Sequence, residues 1–146
     1  GVSAGPIGSN YCAANPNSTG SAGAMGAFGF TSVAANDITL TASNLPPGQF
    51  GIFVTSASSG FIPNPAGSNG NLCLTGSLGR FVSPGQILFI DGTGEASLAI
   101  DLTAIPSGAG TVAAVAGDTR YFQAWHRDGV GGGSNFTDGL QISFTN

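Results

Sequence analysis

An all-β fold is predicted, an antiparallel β-sandwich or jelly-roll-like domain of about seven to nine strands, and three features of the sequence carry the prediction. Apolar and polar residues alternate over short runs, as strands with one buried face require. Clusters of Gly, Pro, Asn, Asp and Ser separate the runs, each supplying turn geometry. Nowhere do apolar residues recur at i, i+3, i+4 and i+7 over three turns. The 25 glycines among 146 residues would weaken any helix further.

The elements follow in order. Residues 1–23 are rich in Gly, Ser, Asn and Pro without periodicity and read as an irregular N-terminal arm that Cys12 can tether to the body. Ile38, Leu40 and Ala42 alternate with Thr39, Thr41 and Ser43 as a half-buried strand. Leu45-Pro46-Pro47-Gly48-Gln49 turns the chain, and Phe50 to Thr55 follows as a second strand, read as the antiparallel partner of the first. Residues 57–70 read as a long loop, a common place for function. Leu72-Cys73-Leu74 is a short buried run. Gln86 to Ile90 is a strand ending in the hairpin-type turn Asp91-Gly92.

Ala96, Leu98, Ile100 and Leu102 alternate clearly. Leu102 to Ile105 is expected to make one helical turn, stopped by Pro106. After a turn at Ala116-Gly117-Asp118, Thr119 to Arg127 is the longest β-like run. Gly129 to Ser134 is expected to be a flexible loop, and Leu140, Ile142 and Phe144 close the fold. No internal repeat or shift in composition divides the chain, so residues 1–146 are read as one domain.

Charge is scarce. Asp, Glu, Lys and Arg make up 7 % of the chain, Lys is absent, and the net charge is −4. Soluble domains carry about 25 % charged residues. The three positive residues, Arg80, Arg120 and Arg127, form no basic run, so neither nucleic acid nor an anionic membrane is an expected partner. No stretch approaches the ~20 apolar residues of a membrane span, so membrane insertion is not expected. The beginning of the chain has no basic or apolar signal segment, and reads as a mature protein or excised domain.

Cys12 and Cys73 admit two readings: one disulfide formed in an oxidising compartment, or two unrelated buried thiols. His126 is the only imidazole, too few for a two-histidine copper site or a histidine-rich zinc centre, and no G-x-S-x-G motif is present. It is read as a structural strand residue. Five of the aspartates lie in turns (Asp37, Asp91, Asp118, Asp128, Asp138), where the side chain ordinarily bonds nearby backbone. That reading ranks above a glycosidase carboxylate pair. No catalytic residue, metal or cofactor is expected. Two N-x-[ST] sequons, at Asn17 and Asn135, fall in predicted loops.

The segment from Tyr121 to Asp128 is the most informative string. On a strand, Phe122, Ala124 and His126 share one face, and Tyr121, Gln123, Trp125 and Arg127 the other. If the first face meets the core, the second offers two amphipathic aromatics, an amide and a guanidinium. That combination suits a sugar, stacking on C–H faces and pairing with hydroxyls. The reversed orientation would make Trp125 a core anchor.

Several strings together carry a resemblance: Asn10-Tyr11-Cys12, Pro16 to Gly20, Val33 to Asp37, Leu40 to Pro46, Gly70 to Leu74, Gly79 to Val82, Phe122 to Trp125, Arg127-Asp128 and Ser134 to Gly139. The chain, from about residue 9 to 145, resembles a domain found near the C-termini of large secreted proteins of planctomycetes and myxobacteria. The resemblance implies a secreted bacterial accessory domain and a Cys12–Cys73 pair. It carries no activity, so no site residue passes over from it. Arg120-Tyr121 departs from the pattern, which has Trp more often.

The expected function is therefore that of a non-catalytic, secreted accessory module that binds a polysaccharide or cell-surface glycan through Tyr121, Gln123, Trp125 and Arg127. The alternative is a structural protein that self-associates into an extracellular layer or fibre, since few charged residues guard its strand edges.

Overall fold

A computed structural model describes residues 5–129 and 133–146. Fifteen strands and one short 3-10 turn, Pro65–Gly67, account for its regular structure. The first half contains β1 (Gly5–Pro6), β2 (Ser9–Tyr11), β3 (Ala24–Gly29), β4 (Ile38–Ser43), β5 (Phe50–Ser56), β6 (Ser58–Pro63) and β7 (Asn71–Thr75). There follow β8 (Gly79–Arg80), β9 (Leu88–Phe89), β10 (Ala96–Ile100), β11 (Ile105–Ser107) and β12 (Gly110–Val112). The last are β13 (Thr119–Arg127), β14 (Ser134–Phe136) and β15 (Gly139–Ser143).

The small sheet runs β1-β3-β4-β10, and the large sheet runs β2-β15-β13-β5-β8 with β14 on β13 and β9 on β5. Every pairing between these strands is antiparallel. Alternation decides which side chains meet between the layers. Met25, Ala27, Ile38, Leu40, Ala42 and Ile100 point in from the small sheet. Phe53, Phe122, Ala124, Leu140 and Ile142 answer from the large one, and all are buried in one core.

The strand predicted to be longest, β13, is the backbone of the large sheet. Its first half pairs β15 and its second half β14, while β5 lies along its other edge. Thr137 bridges the break between β14 and β15. Its amide donates to the Ala124 carbonyl at 3.0 Å, and its hydroxyl accepts from the Ala124 amide at 3.0 Å.

The structure departs from the sequence reading at five places. The arm is irregular from residue 12 to 23, but before that β1 and β2 extend one edge of each sheet, through backbone bonds that need no apolar periodicity. The β4 and β5 runs are consecutive but lie in different sheets, so the Leu45–Gln49 turn carries the chain across the sandwich. The expected loop 57–70 contains β6, whose hairpin with β7 has a register shift between Ser59 and Ile62. Instead of a helical turn up to Pro106, a single turn closed by the Ala104 amide on the Asp101 carbonyl at 3.1 Å leads into β11, which already holds Ile105 and pairs β12. Gln86 to Ile90 contributes only the two residues of β9. Much of the expected glycine loop, residues 130–132, lies outside the described residues.

Candidate functional site

The site is built on the outward face of β13. Phe122 and Ala124 are fully buried in the core. Pleating therefore sends Tyr121, Gln123, Trp125 and Arg127 to the opposite side. The β6–β7 hairpin lies across that side, pinned by Cys12–Cys73, with a Cα–Cα distance of 6.3 Å and 61 residues of separation.

Gln123 sits beneath this roof and is 0 % exposed. Its Oε1 accepts from the Cys73 amide at 2.9 Å. Its Nε2 donates to the Asn71 carbonyl at 2.7 Å and the Thr137 carbonyl at 2.8 Å. The expectation that Gln123 meets a ligand is corrected: its amide is committed to the hairpin and to the β14–β15 junction. A buried amide needs internal partners, and here the backbone supplies them.

Tyr121 lies two residues to one side of the roofed position, half-buried against Tyr11 with ring centroids 5.5 Å apart, edge to face. The Tyr11 hydroxyl donates to the Cys73 carbonyl at 2.7 Å. Burial, followed by the neighbouring Tyr121 and Asp138, raises the Tyr11 pKa well above the usual phenol value. The Tyr11 ring occupies the space above Gly139 that any Cβ would fill, which fixes glycine there. Tyr121 therefore belongs to the support of the hairpin.

On the other side, Trp125 is half-buried and Arg127 exposed. The Arg127 guanidinium carbon stands 5.6 Å from the Trp125 ring centroid, a cation–π contact. Trp125 lines a groove of about 460 Å³ with Ile52, Leu72, Arg80, Ser134 and Phe136. Registers explain the grouping. Trp125 stands opposite Ile52 on β5 and Phe136 on β14, and Arg80 opposite Val54. The structure thus brings Trp125 and Arg127 together, leaves Tyr121 beyond Gln123, and adds Arg80, Ile52, Leu72 and Phe136. Local sequence holds no signal for these additions, because strand pairing alone makes them neighbours.

Four of the carboxylates serve the fold. Asp91 Oδ1 accepts from the Thr93 amide and hydroxyl and the Glu95 amide, and Asp101 Oδ1 from the Thr103 amide and hydroxyl. Both carboxyls are held below the ordinary range, most by the bond from the threonine hydroxyl. Asp128 and Asp138 reach further, accepting from the Ser18 and Met25 amides. Asp138 is pushed up by burial, against the Met25 and Asn10 bonds that lower it.

His126 is buried, its Nδ1 2.8 Å from the Arg127 carbonyl and its Nε2 without a hydrogen-bonding partner among the described residues. Burial lowers its pKa, partly offset by the Arg127 carbonyl and Asp128. The sequon asparagines are structural. Asn17 Nδ2 donates to the Asn44 carbonyl at 2.7 Å, and Asn135 Nδ2 to the Pro16 carbonyl at 3.1 Å. Both side chains are buried and closed to glycan attachment in the folded protein.

Among the described residues no three His, Cys, Asp or Glu side chains are placed to hold a metal ion, and no helix is long and apolar enough to cross a membrane. No family model, curated protein or solved structure matches this chain.

Proposed function

We propose that this chain is a non-catalytic extracellular accessory module that binds a polysaccharide or cell-surface glycan in the Trp125 groove. One observation carries the reading: the chain's single Trp flanks a groove of about 460 Å³ with Arg80 in its lining, and Arg127 stands over the Trp ring. A sugar's C–H face stacks on such a ring while guanidinium N–H groups donate to its hydroxyl or carboxylate oxygens. The engagement of Asp91, Asp101, Asp128 and Asp138 in fold-supporting hydrogen bonds supports a module without acid–base chemistry. The disulfide supports an oxidising compartment, and the resemblance to domains near the C-termini of large secreted bacterial proteins supports an accessory role. Affinity electrophoresis and calorimetry against a polysaccharide panel test it. Retardation by at least one glycan, lost in Trp125→Ala, is expected. Equal mobility of both proteins on every glycan overturns it.

A second reading, self-assembly into a layer or fibre, rests on β10. This edge strand, Ala96–Ile100, pairs only β4 in its sheet and carries neither Pro nor a charged side chain. Such an edge invites pairing with another copy. Light scattering across a concentration series decides it, and a strict monomer at high concentration rules it out.

A further inference from the structure

A second concavity lies on the other side of the sandwich, away from the Trp125 groove. It is a trough of about 800 Å³ on the outward face of the small sheet. Its floor carries the hydroxyls of Thr41, Ser43 and Ser97, projected outward because Leu40, Ala42 and Ile100 of the same strands take the core side. Strands β3, β4 and β10, ~4.8 Å apart, give this floor a width of about 10 Å. Gly26 keeps it low, for a Cβ there would come within 2.7 Å of Thr41 Oγ1.

Two exposed phenylalanines line the trough, Phe28 on β3 of the small sheet and Phe89 on β9, which belongs to the large sheet and borders the trough from its rim. Phe28 is 51 % exposed and Phe89 61 % exposed, and Phe89 is steadied edge to face by Phe50 at 5.5 Å. Rings this exposed contribute little to the core, and a rigid aromatic over a hydroxyl floor can stack on a ligand. Asp91 and Glu95 supply two carboxylates to the same lining, which contains no cationic side chain. Asp91 Oδ1 is occupied by its own turn, accepting from the Thr93 amide and hydroxyl and the Glu95 amide.

We propose that this trough is a second carbohydrate site, selective for a glycan bearing protonated amino groups, such as a glucosamine polymer. Phe28 and Phe89 meet the pyranose faces, the threonine and serine hydroxyls pair with sugar hydroxyls, and Asp91 and Glu95 receive the ammonium groups. An added peptide strand would need a free backbone edge; β3 and β4 are paired on both sides, so only the β10 rim offers one, whereas the floor itself presents side chains. The site stands or falls separately from the Trp125 groove.

The experiment is calorimetry of the whole chain with a glucosamine oligosaccharide, its N-acetylated counterpart and an oligolysine peptide, with circular dichroism as the control for folding. The wild type should bind the glucosamine oligomer more tightly than the acetylated one. Raising salt from about 0.05 to about 0.5 M should shrink that preference. Phe89→Ala and Phe28→Ala should each weaken binding roughly tenfold. Glu95→Gln, which leaves the Asp91 turn bonds in place, should reduce the preference about threefold or more without abolishing binding. Trp125→Ala should leave this binding unchanged. The proposal fails if the wild type binds neither sugar, if oligolysine binds as well as the glucosamine oligomer, if both Phe variants bind as the wild type does, or if Trp125→Ala removes the binding.

Discussion

The two outward faces of the sandwich start from the same strand alternation and end differently clad. The large sheet turns out Tyr, Gln, Trp and Arg from β13, and a disulfide-anchored hairpin settles over the middle of them. The small sheet turns out Gly26, Phe28, Thr41, Ser43 and Ser97, and its concavity remains open. Charge divides in the same way. Arg80 and Arg127 border the Trp125 groove, whereas Asp91 and Glu95 border the trough. The difference teaches that a long amide on an outward face can become structural glue once a covering segment brings backbone groups to it. Short hydroxyl side chains cannot reach as far and leave their face bare.

Removing the staple is the largest perturbation of this contrast. Cys12→Ser together with Cys73→Ser should lower the unfolding free energy by about 4 kcal/mol in the chain-entropy view, read from denaturant midpoints. A loss below roughly 1 kcal/mol would mean that hydrogen bonds such as those of Gln123 hold the roof without the cross-link. Gln123→Ala comes next. It strands the Cys73 amide and the Asn71 and Thr137 carbonyls, and roughly 3 kcal/mol of stability should go with them. Amide exchange should quicken in β6 and β7 while β3 and β4 stay protected. Equal quickening in both sheets would contradict the separation of the two faces.

Trp125→Ala sharpens the comparison from the functional side. A half-buried ring costs on the order of 1–2 kcal/mol when removed, yet glycan affinity in its groove should drop at least about tenfold, with the trough unaffected. Isothermal titration of each variant with each sugar reads both sites.

The smallest effect concerns pH. His126 lies on the inner side of β13, its folded pKa below the ordinary 6.5 because burial disfavours the cation. Between those two values the unfolded chain binds more protons than the folded one. Its contribution is therefore complete above about pH 6.5 and declines as pH falls towards the folded pKa. Asp138 acts with the opposite sign, since its raised pKa makes ionisation above that value costly to the fold. Urea titrations across this range should show a His126 slope that His126→Gln removes, and a flat profile in the wild type would contradict the assignment.

Much of the candidate surface is legible in the sequence alone. The period of two in Thr119 to Arg127 separated Phe122 and Ala124 from Trp125 and Arg127, because pleating allows no other division. It could not tell that a hairpin 50 residues earlier would cover Gln123, nor that Arg80 and Phe136 would join Trp125. Those neighbours come from registers between distant strands. The strands β1 and β2 within the arm are hidden for a related reason: they join the sheets through backbone groups, which leave no mark in the side-chain pattern.

Alternation, turn residues and the absence of helical periodicity determined an all-β chain, its long central strand and the division of that strand into an inner and an outer side. These are local consequences of steric and hydrophobic preference, readable within a few residues. Tertiary structure alone decided the assignment of β4 and β5 to different sheets, the roofing of Gln123 by the disulfide-linked hairpin and the gathering of two oppositely charged concavities on opposite sides. Each depends on which distant backbones share hydrogen bonds, and a peptide group carries no label naming its partner.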